Sequence, residues 1–230
     1  MWKNQAYGVT AEPIVIVYNK RLLSPPQAPR NHADLLRLLH DGVGPVASRI
    51  ATYDPERSGV GYLLLSQDLV VTDRTWSLID AMALVGVRLF ATSGEMLDRV
   101  AGGDTALAYN VIGSYALDRA RSSPELGVVL PTDYTLVMSR VALIPKGAPH
   151  PTAARLFLDY LLSQPGQKAL ADHAIGPVRR DVAVDGAAAA APEAARPIQL
   201  GLRLVAAIDQ ATRARFLRDW RALVSRQAGR

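Results

Sequence analysis

The residues best suited to chemistry in this 230-residue chain lie in two short stretches of similar form. In Asp54-Pro55-Glu56-Arg57-Ser58-Gly59-Val60-Gly61, an apolar run ends in Asp-Pro, and a hydroxyl and two glycines then open the next apolar run. The first N–H groups of a helix lack intrahelical partners and carry partial positive charge, so a helix starting at Ser58 would present an anion-binding end. Gly59 and Gly61 would let a ligand approach the backbone at Val60, and Ser58 would either cap the helix or bond the ligand. The stretch is neither a P-loop, which needs Gly-Lys-Ser/Thr, nor a dinucleotide-binding turn, which needs a third glycine. Tyr109-Asn110-Val111-Ile112-Gly113-Ser114-Tyr115 repeats the pattern, with a strand ending in polar groups before a small-residue pair. In open α/β sheets ligands bind outside the carboxyl ends of strands, which makes two such ends worth more than either alone. The plainer alternative at both places is a residue that only caps a helix.

Other chemistry finds little support. His32, His40, His150 and His173 are scattered and form no HxH or HxxxH pair. The chain has no cysteine, which excludes disulfides, thiolate metal sites and Cys nucleophiles. It also has no Gly-x-Ser-x-Gly elbow. Asp98 beside Arg99 and Asp118 beside Arg119 read as solvated helix faces. The expectation is a protein that is not an enzyme, with no catalytic residue, no cofactor and no metal ligand set. The net charge of +5 owes much to arginines near the carboxyl end, among them Arg213, Arg215, Arg218 and Arg221. No RNP, zinc-finger or basic-zipper pattern accompanies them, so nucleic acid is not an expected partner. No apolar run reaches the length of a membrane span, and the first residues, MWKNQAYGVT, lack the regions of a signal peptide.

The elements that must position these stretches alternate along the chain. EPIVIVYN (12–19) is a β-branched apolar run that reads as a buried strand. NHADLLRLL reads as a helix capped by Asn31, and RIATYD (49–54) as a second strand. Residues 58–71 and 73–86 read as helices, the latter with Gly86 at its carboxyl end. RLFA, SGEMLDRVAGG, TALAYN, VIGSYALDRAR and LGVVLP continue as strand, helix, strand, helix, strand. This alternation argues for an α/β layer fold with a largely parallel sheet. YTLVMSRVALIP (134–145) is long for one strand and suits a segment crossing between two lobes. Residues 150–173 read as a helix, a break at Gln164-Pro165-Gly166 and a shorter helix. An alanine-rich linker (185–197) and an amphipathic docking helix bearing Leu204, Ile208, Phe216 and Trp220 follow.

In order and spacing, residues 8–180 resemble the ferric-iron-type extracellular solute-binding proteins of ABC transporters. VAGGDTALAYN carries the likeness as the helix, glycine turn and strand leading to that family's ligand residues. KGAPHPTAARLFLDYLLSQPGQKAL carries it as the late-lobe turn, helix and Gly-Gln helix start. The resemblance implies a type II periplasmic-binding-protein-like α/β fold, two lobes joined by crossing strands, with the first lobe incomplete. Residues 1–18 would be a crossing segment and 19–135 the second lobe. Residues 136–180 would be the return crossing and the remaining first-lobe helices, and 181–230 the linker and terminal helix. It further implies that a small solute is bound between the lobes and handed to an ABC permease in the periplasm, the rival role being a ligand-sensing regulatory domain of the same fold. The ligand residues implied are Ser58, Gly59, Val60, Tyr109 and Asn110, with Thr10 and Glu12 beside the first crossing strand. Iron-binding members carry adjacent tyrosines just after the Asn, whereas Val111 and Ile112 follow Asn110 here. The expected ligand is therefore an anionic organic or phosphorylated compound, or a chelated metal. An incomplete first lobe would also expose apolar surface, which a homodimer or strand exchange would cover.

Overall fold

The computed structural model describes residues 6–41, 46–183, 191, 193–207 and 209–225. Its centre is the strand β2, Glu12–Asn19, all eight residues of which are buried. A continuous apolar run suits a strand covered on both faces, and its side chains alternate between two cores. Ile16 and Tyr18 enter one core, and Val15 and Val17 enter the other. Around β2 the sheet runs in the order β4 (Arg88–Phe90), β3 (Ile50–Tyr53), β5 (Leu107–Ile112), β2, β7 (Thr135–Met138), β9 (Ala195–Pro197), and β6 (Leu126–Val129) also pairs with β2. β3 is parallel to β4 and β5, and β7 to β9, but β2 is antiparallel to β5, β6 and β7. The sheet is thus mixed, where strand–helix alternation alone suggested a largely parallel one. Alternation reports which strands are joined by helices; it does not report the direction of the strand the others flank.

The first core lies under α1 (His32–His40), α3 (Thr75–Leu84) and α9 (Gln210–Val224), with Leu35, Ile79, Met82, Phe216 and Trp220 fully or almost fully buried. The second lies under α4 (Ser93–Gly102) and α5 (Gly113–Ser122), with Met96, Val100, Val111 and Ala116. α2 (Gly59–Val71) sends Tyr62 and Leu65 to the first core and Leu64 to the second. α4 starts in a capping box between Thr92 and Glu95 and ends at Gly103, whose φ of 82° suits glycine.

Several elements differ from the sequence expectation. Val111 and Ile112 extend β5, opposite Val15 and Ile14, so α5 begins at Gly113 rather than at 111. The apolar run 134–145 bends at Ser139-Arg140 and forms two strands, β7 in the main sheet and β8 (Val141–Leu143), which pairs with β1 (Ala6–Gly8) as a separate two-stranded ribbon. The chain therefore passes twice between ribbon and main sheet. The backbone N–H of Arg140 donates to Thr10 Oγ1 at 2.9 Å and that of Val9 to the Arg140 carbonyl at 2.9 Å, tying the two passages together.

α6 (Pro151–Leu162) and α7 (Gln164–Asp172) follow the ribbon. The break between them is Ser163, which caps α7, so Gln164 and Pro165 lie in the first turn of a helix. Gln167, fully buried, donates to the carbonyls of Val9 and Leu161 and accepts from Val178 N–H. Leu156, Phe157 and Tyr160 of α6 are exposed. At the carboxyl end the expected single helix is two, α8 (Leu202–Ala207) and α9, the latter capped by Asp209; Ile208 and most of the alanine-rich stretch lie outside the described residues. The end of that stretch, Ala195–Pro197, is β9, which composition did not suggest. Phe216 packs edge-on to Tyr62 and tilted against Trp76, both at 5.3 Å between ring centroids, and Arg221 pairs with Glu56 at 2.7 Å.

Candidate functional site

The parallel strands β3, β4 and β5 end on one side of the main sheet, and each end leads to a helix start. β3 leads to α2, whose N-cap is Ser58; β4 leads to α4, whose N-cap is Thr92; β5 runs directly into α5 at Gly113. A chain of contacts joins the three. Tyr53, the last residue of β3, hydrogen-bonds through its hydroxyl to Ser93 Oγ in the first turn of α4. The backbone N–H of Ile112 donates to the same Ser93 Oγ at 3.4 Å. Gly61 in the first turn of α2 has no room for a side chain, since a Cβ would fall 2.4 Å from Tyr53 Cβ. Burial pushes the Tyr53 phenol up to about 12, so it stays a neutral donor or acceptor at ordinary pH.

The crossing strands close this corner. Glu12, fully buried at the start of β2, accepts from Arg140 Nε at 2.7 Å and Nη2 at 2.9 Å, from Thr10 Oγ1 at 2.8 Å, and from Ser114 Oγ in the first turn of α5. Burial alone would favour its neutral form, but the Arg140 guanidinium and the two hydroxyls outweigh it and hold the carboxyl below the usual range. Arg140 is raised in turn, first by its bond to Glu12. The Arg140 side chain is 40% exposed, and its guanidinium carbon lies 5.3 Å from the centroid of the Tyr115 ring, itself exposed. The corner thus presents three helix amino ends, an exposed aromatic ring and a guanidinium fixed by a buried carboxylate. Such groups bind an anion or hydrogen-bond acceptors.

The seven residues singled out from sequence fall into three settings. Ser58 is buried and its hydroxyl accepts from Gly61 N–H at 3.2 Å, as a helix cap; Gly59 is exposed with open space around it, and Val60 is half-buried. Thr10 and Glu12 belong to the Arg140 cluster just described. Tyr109 and Asn110 are buried and turn to Asp68 of α2. Neighbours on a regular strand point to opposite faces, yet Tyr109 Oη and Asn110 Nδ2 donate to the same Asp68 Oδ2, at 2.9 and 2.7 Å. The register shift between Val15 and Val17, with Asn110 at a φ of 62°, allows it, and Asn tolerates that conformation better than most residues. Tyr134 Oη donates to Asp68 Oδ1 at 3.1 Å. Burial pushes the Asp68 carboxyl up, against the pull of Asn110, His32, Tyr109 and Tyr134; the phenols of Tyr109 and Tyr134 are also raised, chiefly by burial. His32 stacks on Tyr134 at 3.9 Å and bonds Asp133 at 2.9 Å, so it is a packed rather than a surface histidine.

Tyr53, Ser93, Tyr115 and Arg140 were not among the residues chosen from sequence. One signal was available: Thr92-Ser93-Gly94 after a strand repeats the form of Ser58-Gly59 and of Gly113-Ser114. Another was the polar pair Ser139-Arg140 interrupting an apolar run.

A family model described as bacterial extracellular solute-binding protein matches residues 1–196. Among solved structures, the substrate-binding protein of an ABC transporter from Agrobacterium tumefaciens is similar at 38% identity and a TM-score of 0.88, covering 97% of this chain and 68% of that one. Iron-bound HitA from Pseudomonas aeruginosa shares the fold at 20% identity and a TM-score of 0.68, covering 97% of this chain and 70% of that one. So does the apo ferric ion-binding protein A of Pasteurella haemolytica, at 11% identity and 0.66, covering 98% and 68%. No curated protein sequence matches. The fold is that of the type II periplasmic binding proteins.

Proposed function

Because the chain belongs to the bacterial extracellular solute-binding protein family, we propose that it binds a small anionic solute, organic or phosphorylated, where α2, α4 and α5 begin, and delivers it to an ABC permease outside the cytoplasmic membrane. The observation that carries this reading is the convergence of three helix starts beside Arg140, joined through Tyr53, Ser93 and Ser114. The N–H groups of those first turns supply donors to anionic oxygens at no cost in reorganisation. Tyr115 offers a ring face or edge to the body of the solute.

In this reading β2 and the β7–β8 passage are the crossing strands, the main sheet is the second lobe, and the β1–β8 ribbon with α6 and α7 belongs to the first. Glu12 and Arg140 then sit at the hinge, where a solute touching Arg140 would meet both lobes and shift a closure equilibrium. The exposed Leu156, Phe157 and Tyr160 of α6 then lie on the first-lobe side. Ser58 shapes the site by capping α2, and Gly59 and Val60 open α2 to the solute; Tyr109 and Asn110 hold Asp68 in the last turn of α2, away from the solute.

The test is thermal unfolding against phosphate, sugar phosphates, di- and tricarboxylates, ferric salts and polyamines. A solute at about a hundred times its dissociation constant adds about 2.7 kcal/mol of stability. Stabilisation by an anionic class, lost on replacing its anionic group with a neutral one, supports the reading. Stabilisation by polyamines alone overturns it.

A further inference from the structure

A cavity lies away from the strand ends just described. It has a volume of about 460 Å³ and opens between α1, the carboxyl end of α2 and the start of α3. α2 has 13 residues from Gly59 to Val71 and spans roughly 20 Å, with Ser58 at one end and this cavity at the other. A molecule in the cavity would therefore not touch the helix starts of the proposed solute site.

Part of the cavity wall is apolar. Leu36 comes from α1, Val71 from α2 and Leu78 from α3, and the Tyr134 ring lies beside them. The rim is basic, with Arg37, Arg74 and Arg196 against one carboxylate, Asp133. That carboxylate is already engaged by His32 Nδ1 at 2.9 Å and by the backbone N–H groups of His32 and Tyr134. Arg37 pairs with Asp34 at 3.1 Å, and Arg196 donates to the carbonyls of Glu193 and Ala195. Arg74, which is exposed, has no ion-pair partner among the described residues, and the Arg196 guanidinium meets no carboxylate among them. Two guanidiniums without a carboxylate partner therefore face a partly apolar chamber of the size small molecules occupy. A neutral apolar molecule would leave both unanswered, and a compact inorganic anion would leave the apolar walls wet. We propose that the cavity is a second binding site, which takes an amphipathic monoanion: a carboxylate with an aliphatic or aromatic body, its head on Arg74 and Arg196 and its body against Leu36, Val71, Leu78 and Tyr134.

The probes are 4-phenylbutyrate and its uncharged amide, titrated into the 230-residue chain with backbone amide resonances as the readout. The carboxylate is expected to give saturable shifts at Thr72, Arg74 and Thr75, with a dissociation constant of about a millimolar or tighter, the scale for so small a ligand. The amide should bind at least about tenfold more weakly, since it forfeits charge-assisted hydrogen bonds. Arg74→Glu, an exposed change, should weaken the carboxylate by about tenfold or more, and Leu36→Trp should fill the chamber and abolish binding. Circular dichroism establishes that both variants are folded. Equal binding of acid and amide, shifts confined to Ser93 and Gly113, or indifference to Arg74→Glu overturns the assignment. An absence of saturable shifts does so too.

Discussion

Replacing Arg140 with Met would leave Glu12 as a fully buried carboxylate with only the hydroxyls of Thr10 and Ser114 for partners. Removing one member of a buried pair costs about 3–5 kcal/mol. The Arg140 side chain is 40% exposed, and water screens part of its contribution, so about 2–3 kcal/mol is expected at neutral pH. For a chain of this length that is a fall of roughly 4–12 °C in Tm. The dependence on pH is more telling. In the wild type the Glu12 carboxyl is held below its ordinary value of 4.5, so its contribution is present above that value and lost as pH falls through the lower folded one. In Arg140→Met burial is opposed only by the Thr10 and Ser114 hydroxyls and raises the carboxyl, so the variant loses stability as pH rises past the ordinary value. The gap between the two proteins must therefore be widest near neutrality and shrink toward about pH 4. Thermal or urea unfolding across that range measures it, and Glu12→Gln combined with Arg140→Met should cost less than Arg140→Met alone. A gap that is constant with pH, or smaller than about 0.5 kcal/mol throughout, would refute the account of this pair.

The two glycines of the α2 start should respond differently. Gly61→Ala, whose Cβ would meet Tyr53, should cost about 1–3 kcal/mol, and Gly59→Ala, in open space, less than about 0.5 kcal/mol in urea unfolding. Asp68→Asn should lower stability by about 1–3 kcal/mol, because an amide must turn its NH2 either toward the donor of Tyr134 or toward those of Tyr109 and Asn110; urea unfolding detects it. Since burial raises Asp68, the stability linked to its neutral form is present below its ordinary value of 3.8 and declines as pH rises through the folded value, a slope that Asp68→Asn should remove. Phe216→Ala should cost about 3 kcal/mol and Phe157→Ser less than about 0.5 kcal/mol, the first being buried between Tyr62 and Trp76 and the second exposed.

Much of the fold was legible because its strongest signals are local. The unbroken apolar run of β2 and the capped helices α1, α2 and α4 follow from periodicity and cap chemistry. What escaped depends on partners distant in sequence. Val111 and Ile112 satisfy a helical pattern as well as a strand, and pairing with Ile14 and Val15 decides between them. Ala195–Pro197 is a strand only because β7 lies beside it. At the site, sequence found the form of the helix starts and one member of the buried ion pair, Glu12. It missed Arg140, which lies 128 residues away, and Asp68, whose place in an apolar helix becomes intelligible once three donors surround it. Tyr109 and Asn110 read in the sequence as the polar end of a strand, and the shift in register turns both toward Asp68.

The central claim, that anionic oxygens bind where α2, α4 and α5 begin, is tested most directly by calorimetric titration of the stabilising solute into the wild type and into Gly59→Asp with Gly94→Asp. Both glycines are exposed in first turns with room for a side chain, and an acidic residue there suits the helix. The double variant should therefore fold like the wild type. It should bind the solute at least about tenfold more weakly, since two carboxylates would oppose the anion at the helix ends. Unchanged affinity in a folded double variant would contradict the claim.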